Sequence, residues 1–129
     1  MRILIAEDDP SLAEVEAELL TEAGYDVACV STPAEAHSLV QAAAWDLLLV
    51  DSFSRSYRQP EAADISFLRS LAARAPVILV TGRAWATKVR AVDLGIAAIV
   101  SKPYDIDQFL QVIGSIADRP ARPEGRAAQ

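Results

Sequence analysis

Five side chains that could act together are scattered through the chain: the carboxylates of Glu7, Asp8 and Asp51, the hydroxyl of Thr81 and the ammonium of Lys102. Four short apolar runs precede them, Ile3 to Ala6, Leu47 to Val50, Val77 to Val80 and Ile96 to Val100. Three carboxylates in one crevice repel each other unless a cation or a proton relieves them. All-oxygen donors with no His or Cys nearby suit a hard ion. Mg²⁺ takes one or two carboxylates and completes its shell with water and phosphate oxygens. A carboxylate beside such an ion can attack phosphorus and form an acyl phosphate. The oxygens of the transferring group then need a positive charge and a hydrogen-bond donor, which Lys102 and Thr81 carry. Phosphoryl transfer to Asp51 is the chemistry that this set of residues would perform if it were gathered in one place.

Gathering it is the task of the elements between them. The segment from Ser11 to Ala23 predicts a helix with Leu12, Val15, Leu19, Leu20 and Ala23 inward and Gly24 as its stop. Val27 to Val30 predicts a strand, and Pro33 to Ala43 an alanine-rich helix. Leu47 to Val50 lacks alternation and reads as a strand covered on both faces. A polar loop from Ser52 to about Ala63 leads to a helical stripe of Ile65, Phe67, Leu68, Leu71 and Ala72. After the strand Val77 to Val80, a helix is expected over Trp85 to Leu94, closed by Gly95. Beyond the strand Ile96 to Val100, a helix starting near Asp105 carries Ile106, Phe109, Leu110, Ile113 and Ile116 on one face. Five strand–helix pairs predict an α/β domain, a doubly wound parallel sheet of order 2-1-3-4-5 with the flavodoxin-like (βα)5 arrangement. Such sheets bind ligands at the carboxyl ends of their strands, where the first and third lie side by side. All five chemical residues fall at strand ends.

The 129 residues, 52% hydrophobic and 23% charged, suit one domain with a substantial core. A net charge of −6 argues against nucleic acid or an anionic membrane as a direct partner. No apolar run approaches the roughly 20 residues of a membrane span. The lone Cys29 cannot form an internal disulfide and is expected as a small buried hydrophobe in a reducing, cytoplasmic setting. Asp9-Pro10 reads as a helix start, and His37 as a solvent-facing residue. From Asp118 onward apolar periodicity stops, which predicts a mobile end or the start of a linker.

Four stretches carry a family likeness: Ile3-Leu4-Ile5-Ala6-Glu7-Asp8-Asp9, Leu47-Leu48-Leu49-Val50-Asp51, Val77-Ile78-Leu79-Val80-Thr81-Gly82 and Val100-Ser101-Lys102-Pro103-Tyr104. In order and spacing they resemble the receiver domains of two-component response regulators, of the stand-alone chemotaxis-receiver kind. The resemblance covers residues 1–117 as one receiver domain and leaves 118–129 as the tail. It implies Asp51 as phosphoacceptor, with Glu7, Asp8, Asp51 and the backbone carbonyl of Phe53 around Mg²⁺. It also implies Thr81 as switch hydroxyl, Lys102 as phosphoryl-binding lysine and a cis Lys102–Pro103 bond. The domain would catalyse only its own phosphorylation and dephosphorylation. A histidine kinase or histidine phosphotransfer protein would supply the group, a downstream effector would read it, and a homodimer could form through helix 4, strand 5 and helix 5.

Two features depart from the family pattern. The stretch from Ser52 to Asp64 lacks the usual Met-Pro and Asp-Gly landmarks, and Ile99 stands where many relatives carry an aromatic switch residue. They support a second reading, a pseudo-receiver that binds proteins without phosphate. A third, a small phosphatase with an aspartyl nucleophile, lacks a second acid just after Asp51 and a cap domain.

Overall fold

The computed structural model describes residues 1–51 and 59–117. Phe53, most of the atypical loop (52–58) and the tail (118–129) lie outside the described residues. The elements run β1 (Arg2–Ala6), α1 (Pro10–Glu22), β2 (Asp26–Val30), α2 (Pro33–Ala42), β3 (Leu47–Asp51), α3 (Ala62–Ala72), β4 (Val77–Thr81), α4 (Ala91–Leu94), β5 (Ala98–Ser101) and α5 (Ile106–Ala117). A turn of 3₁₀ helix, Ala84–Thr87, precedes α4. Every strand pairing is parallel, and the sheet order is β2-β1-β3-β4-β5, as the alternation of elements predicts.

The continuous apolar runs serve two cores at once because successive residues of a strand point to opposite faces. Ile3, Ile5, Leu47, Leu49, Ile78 and Val80 pack with Leu20 of α1 and with Phe109, Ile113 and Ile116 of α5. Leu4, Ala6, Leu48, Val50, Val77 and Leu79 pack on the other face with residues of α2, α3 and α4 and with Trp85. A central strand with a polar residue on either face would bury it, so the sequence can leave apolar character only at the strand ends. Glu7, Asp51, Thr81 and Lys102 stand there.

Asp9 caps α1, with Oδ1 accepting from the N–H groups of Ser11 (3.0 Å) and Leu12 (3.3 Å), and Pro10 opens the helix. Asp9→Ala is expected to cost about 1 kcal/mol of stability, read as a lower urea midpoint. An unchanged midpoint would show that the cap contributes nothing.

Four expectations need correction. The inward face of α1 is Ala13, Glu16 and Leu20, while Val15 is 51% exposed. Small residues let the helix lie close to the sheet, and the phase follows the alanines rather than the larger side chains. The expected helix from Trp85 to Leu94 is broken. Arg90 is extended (φ −100°, ψ 151°) and its N–H donates to Asp93 Oδ2 at 3.2 Å, so α4 starts afresh after it. Gly95 does close α4, in the left-handed region at φ 74°. The strand expected from Ile96 starts later, β5 running from Ala98 to Ser101, because the Ile96 N–H still donates to the Ala91 carbonyl of α4 at 3.1 Å. Cys29 is exposed rather than buried, because β2 is an edge strand. The expectation for His37 holds, since it is solvent-facing, and Trp85 packs into the core.

Candidate functional site

Glu7 follows β1 and stays tied to the sheet, its N–H donating to the Val30 carbonyl at 3.0 Å. Its carboxylate folds back to accept from the Asp9 N–H at 3.2 Å. Asp51 is the last residue of β3, and the register places it beside Val80, one residue before Thr81. Lys102 follows β5 and extends the ladder by one bond, its N–H donating to the Thr81 carbonyl at 2.8 Å. The Thr81 hydroxyl oxygen accepts from the Arg83 N–H at 3.1 Å, which leaves its own proton to donate. The Lys102–Pro103 bond is cis.

These placements bring residues far apart in sequence into one cluster. Lys102 Nζ lies 2.6 Å from Asp51 Oδ1 and 3.2 Å from Glu7 Oε1. Carboxylate oxygens of Glu7, Asp8 and Asp51 all lie within 4.8 Å of each other. Glu7 is buried and Asp8 exposed, with the Asp51 side chain 13% exposed between them. Thr81 is buried on the neighbouring strand end. Phe53, the expected carbonyl ligand, is outside the described residues.

The charges are unbalanced: three carboxylates face one ammonium. Burial, and next the Asp51 charge, push the Glu7 carboxyl up to about 7. Burial alone would lower the Lys102 ammonium, but its bonds to Asp51 and the charges of Asp51 and Glu7 raise it overall. A carboxyl that titrates near 7 when folded and near its ordinary 4.5 when unfolded makes the folded chain the stronger proton binder. In the absence of divalent cations, stability is therefore expected to fall as pH rises through that window, by about 3 kcal/mol at most. Urea unfolding in EDTA across pH 4.5 to 7 checks this. Glu7→Gln should flatten the slope, and an identical slope in the variant would assign it to another group.

One buried acid escaped the sequence reading. Glu16, on α1, is 2% exposed and accepts a hydrogen bond from the Tyr104 hydroxyl at 3.0 Å. The signal was present in the spacing of Ala13, Glu16, Ala17 and Leu20, which places the acid on the inner stripe. Ile99, in the place of the usual aromatic, is half-buried against the cluster that holds Trp85.

The family model of the response regulator receiver domain matches residues 3–114. The transcriptional regulatory protein DltR of Streptococcus agalactiae is 29% identical over 114 residues, covering 85% of this chain and 49% of that protein. The chain thus spans about half the length of the curated relatives it matches. The non-phosphorylated HemR receiver domain from Leptospira biflexa has a TM-score of 0.73 at 28% identity, over 94% of this chain and 98% of the other. A CheY-like receiver domain protein from Methanospirillum hungatei has a TM-score of 0.75 at 25% identity, over 91% and 93% of the two chains.

Proposed function

Since this chain belongs to the response regulator receiver domain family, we propose that it is a switch whose state is set by a phosphoryl group on Asp51. The observation that carries the reading is the position of Lys102 Nζ, 2.6 Å from Asp51 and 3.2 Å from Glu7 at the edge of a three-carboxylate cluster. The contact of Lys102 with Asp51 and Glu7 at the strand ends, where this fold binds ligands, supports the roles of acceptor, cation-binding acid and phosphoryl-binding ammonium.

The donor set fits Mg²⁺. Carboxylate oxygens of Glu7, Asp8 and Asp51 lie within 4.8 Å of each other, with no His or Cys in the group, and one carboxylate is exposed to incoming solvent. These three residues would hold the ion. When bound, it supplies positive charge for the oxygens of the transferring group.

The remaining work falls to the chain. An Asp51 oxygen forms a bond to phosphorus as the bond from phosphorus to the nitrogen of a phosphohistidine breaks, and the imidazole leaves with the electron pair. Lys102 pairs with a phosphoryl oxygen in place of the Asp51 oxygen it now holds, and the Thr81 hydroxyl donates to another. Water later attacks phosphorus as its bond to the Asp51 oxygen breaks, which releases inorganic phosphate and regenerates the carboxylate. The chain therefore turns over no external substrate beyond its phosphodonor, and we class it as a self-modifying acceptor rather than an enzyme.

A histidine kinase or histidine phosphotransfer protein in the cytoplasm fits as donor, and an effector protein, or a second copy, as reader. The face of α4, β5 and α5 suits that output, because Val92 is 69% exposed and Ile106 49% exposed there. A module working without phosphate would have no use for Lys102 and Glu7 held as they are.

Incubation of the chain with Mg²⁺ and phosphoramidate, followed by intact mass, tests the reading. The expected result is a gain of one phosphoryl group that EDTA prevents. No gain, or a gain indifferent to Mg²⁺, would overturn it. Turnover of an added phosphoester would point instead to a phosphatase.

A further inference from the structure

The hydrogen bond between Glu16 and Tyr104 lies outside the phosphoryl-transfer set, yet it joins α1, which follows Glu7 and Asp8, to the segment that carries Lys102. Tyr104 stands two residues after Lys102, with only Pro103 between them. Its ring stacks on Phe109 of α5, with centroids 4.5 Å apart and planes 13° apart, and Phe109 is fully buried. Its hydroxyl reaches α1 and donates to Glu16 Oε2 at 3.0 Å. On the other side of Lys102, the backbone is pinned by the bond from the Lys102 N–H to the Thr81 carbonyl at 2.8 Å. The lysine is therefore held from both sides. The anchor on the Tyr104 side is the helix that starts just after Glu7 and Asp8, capped by Asp9.

A buried carboxylate on the inner stripe of a helix is costly compared with an apolar side chain of like size. Leucine would serve packing alone. Burial pushes the Glu16 carboxyl above its ordinary value and the Tyr104 bond pulls it back. Burial and the charge of Glu16 push the Tyr104 hydroxyl well up, so it stays a donor. Lysine, on a flexible four-carbon stem, has no preferred geometry of its own. Where its ammonium can reach depends on where its backbone is fixed.

We propose that Glu16, through Tyr104, is a positioning residue that sets the Lys102 ammonium for phosphoryl transfer to Asp51. The pair ties the segment carrying the ammonium to the helix that leads out of the acid cluster, so the two halves of the site keep one frame. The inference rests on the reading of Asp51 as phosphoacceptor.

The test uses the full chain with phosphoramidate and measures three quantities: the limiting rate of phosphorylation at saturating donor and Mg²⁺, the Mg²⁺ affinity by tryptophan fluorescence, and the urea midpoint. Tyr104→Phe keeps the ring stack and removes the hydroxyl. Glu16→Ala removes the acceptor, and Glu16→Gln retains one. Tyr104→Phe and Glu16→Ala are expected to lower the limiting rate about 10-fold, the double variant no further, and Glu16→Gln less than about twofold. Mg²⁺ affinity should stay at the wild-type value throughout, since neither residue is a ligand. If Glu16→Ala does not fold, Tyr104→Phe carries the test. A wild-type limiting rate in Tyr104→Phe would overturn the inference, as would a loss in Glu16→Gln equal to that in Glu16→Ala. Wild type that takes no phosphoryl group would sink the acceptor reading and this inference together. Wild type that takes it at the rate of Tyr104→Phe sinks the inference alone.

Discussion

Asp51→Asn is expected to keep the mass of the unmodified chain after exposure to Mg²⁺ and phosphoramidate, while wild type gains one phosphoryl group. The amide oxygen is a poor nucleophile, and no mixed anhydride can form on it. The neighbouring acids are badly placed to substitute. Glu7 touches Lys102 but is 2% exposed, so a donor's phosphorus cannot approach it in line. Asp8 is open to solvent, but no Lys102 contact is seen for it. The variant should also bind Mg²⁺ more weakly, because one of three clustered carboxylates has lost its charge. Glu7→Gln and Asp8→Asn complete the comparison. If an adduct persists in Asp51→Asn and disappears in either of these, the acceptor has been assigned to the wrong carboxylate.

Lys102→Ala is expected to separate the two roles of the ammonium. At present it balances Asp51 at 2.6 Å and Glu7 at 3.2 Å. Its removal leaves the acids without a counter-charge, so the metal-free protein should lose stability and Mg²⁺ should bind more tightly. A unit charge removed from within several ångströms of a divalent ion changes affinity by about 10-fold or more, even at a high effective dielectric constant. The rate of phosphoryl uptake at saturating Mg²⁺ should nevertheless fall about 100-fold, since a positive group aimed at the transferring oxygens is lost. Fluorescence titration and rapid-quench mass measurement read the two effects. Weaker Mg²⁺ binding in the variant would show that the ammonium supports the cation site rather than competing with it. An unchanged rate would remove Lys102 from the transfer.

The strands and their order were legible in the sequence because each apolar run is short, uninterrupted and closed by a polar residue. The acids, Thr81 and Lys102 were legible for the same reason: a residue just past a buried strand stands at the sheet edge. What escaped was decided by partners remote in sequence. Glu16 sits 88 residues from Tyr104, and nothing local to α1 announces a hydroxyl waiting for its carboxylate. The phase of that helix misled because Leu12 and Val15 outweigh alanines on any hydrophobicity count, whereas close approach to the sheet favours the alanines. Cys29 was misjudged on its apolar neighbours, although the expected strand order already put its strand at the edge of the sheet, where one residue of an apolar run can stay exposed. The break before α4 turned on one extended residue, Arg90, whose conformation no periodicity reveals.

The span between Glu7 and Lys102 has a consequence for biosynthesis. They are 95 residues apart, and among the described residues the strand leading to the lysine pairs only with β4. Synthesis runs from the amino end, so Glu7, Asp8 and Asp51 leave the ribosome while their counter-charge is still unmade. A nascent chain that ends short of Lys102 carries Asp51 without the ammonium that neutralises it. On the role proposed for Asp51, competence to accept phosphate arrives late, when β5 docks, and truncated translation products should take up phosphate at least about 100-fold more slowly than the whole chain.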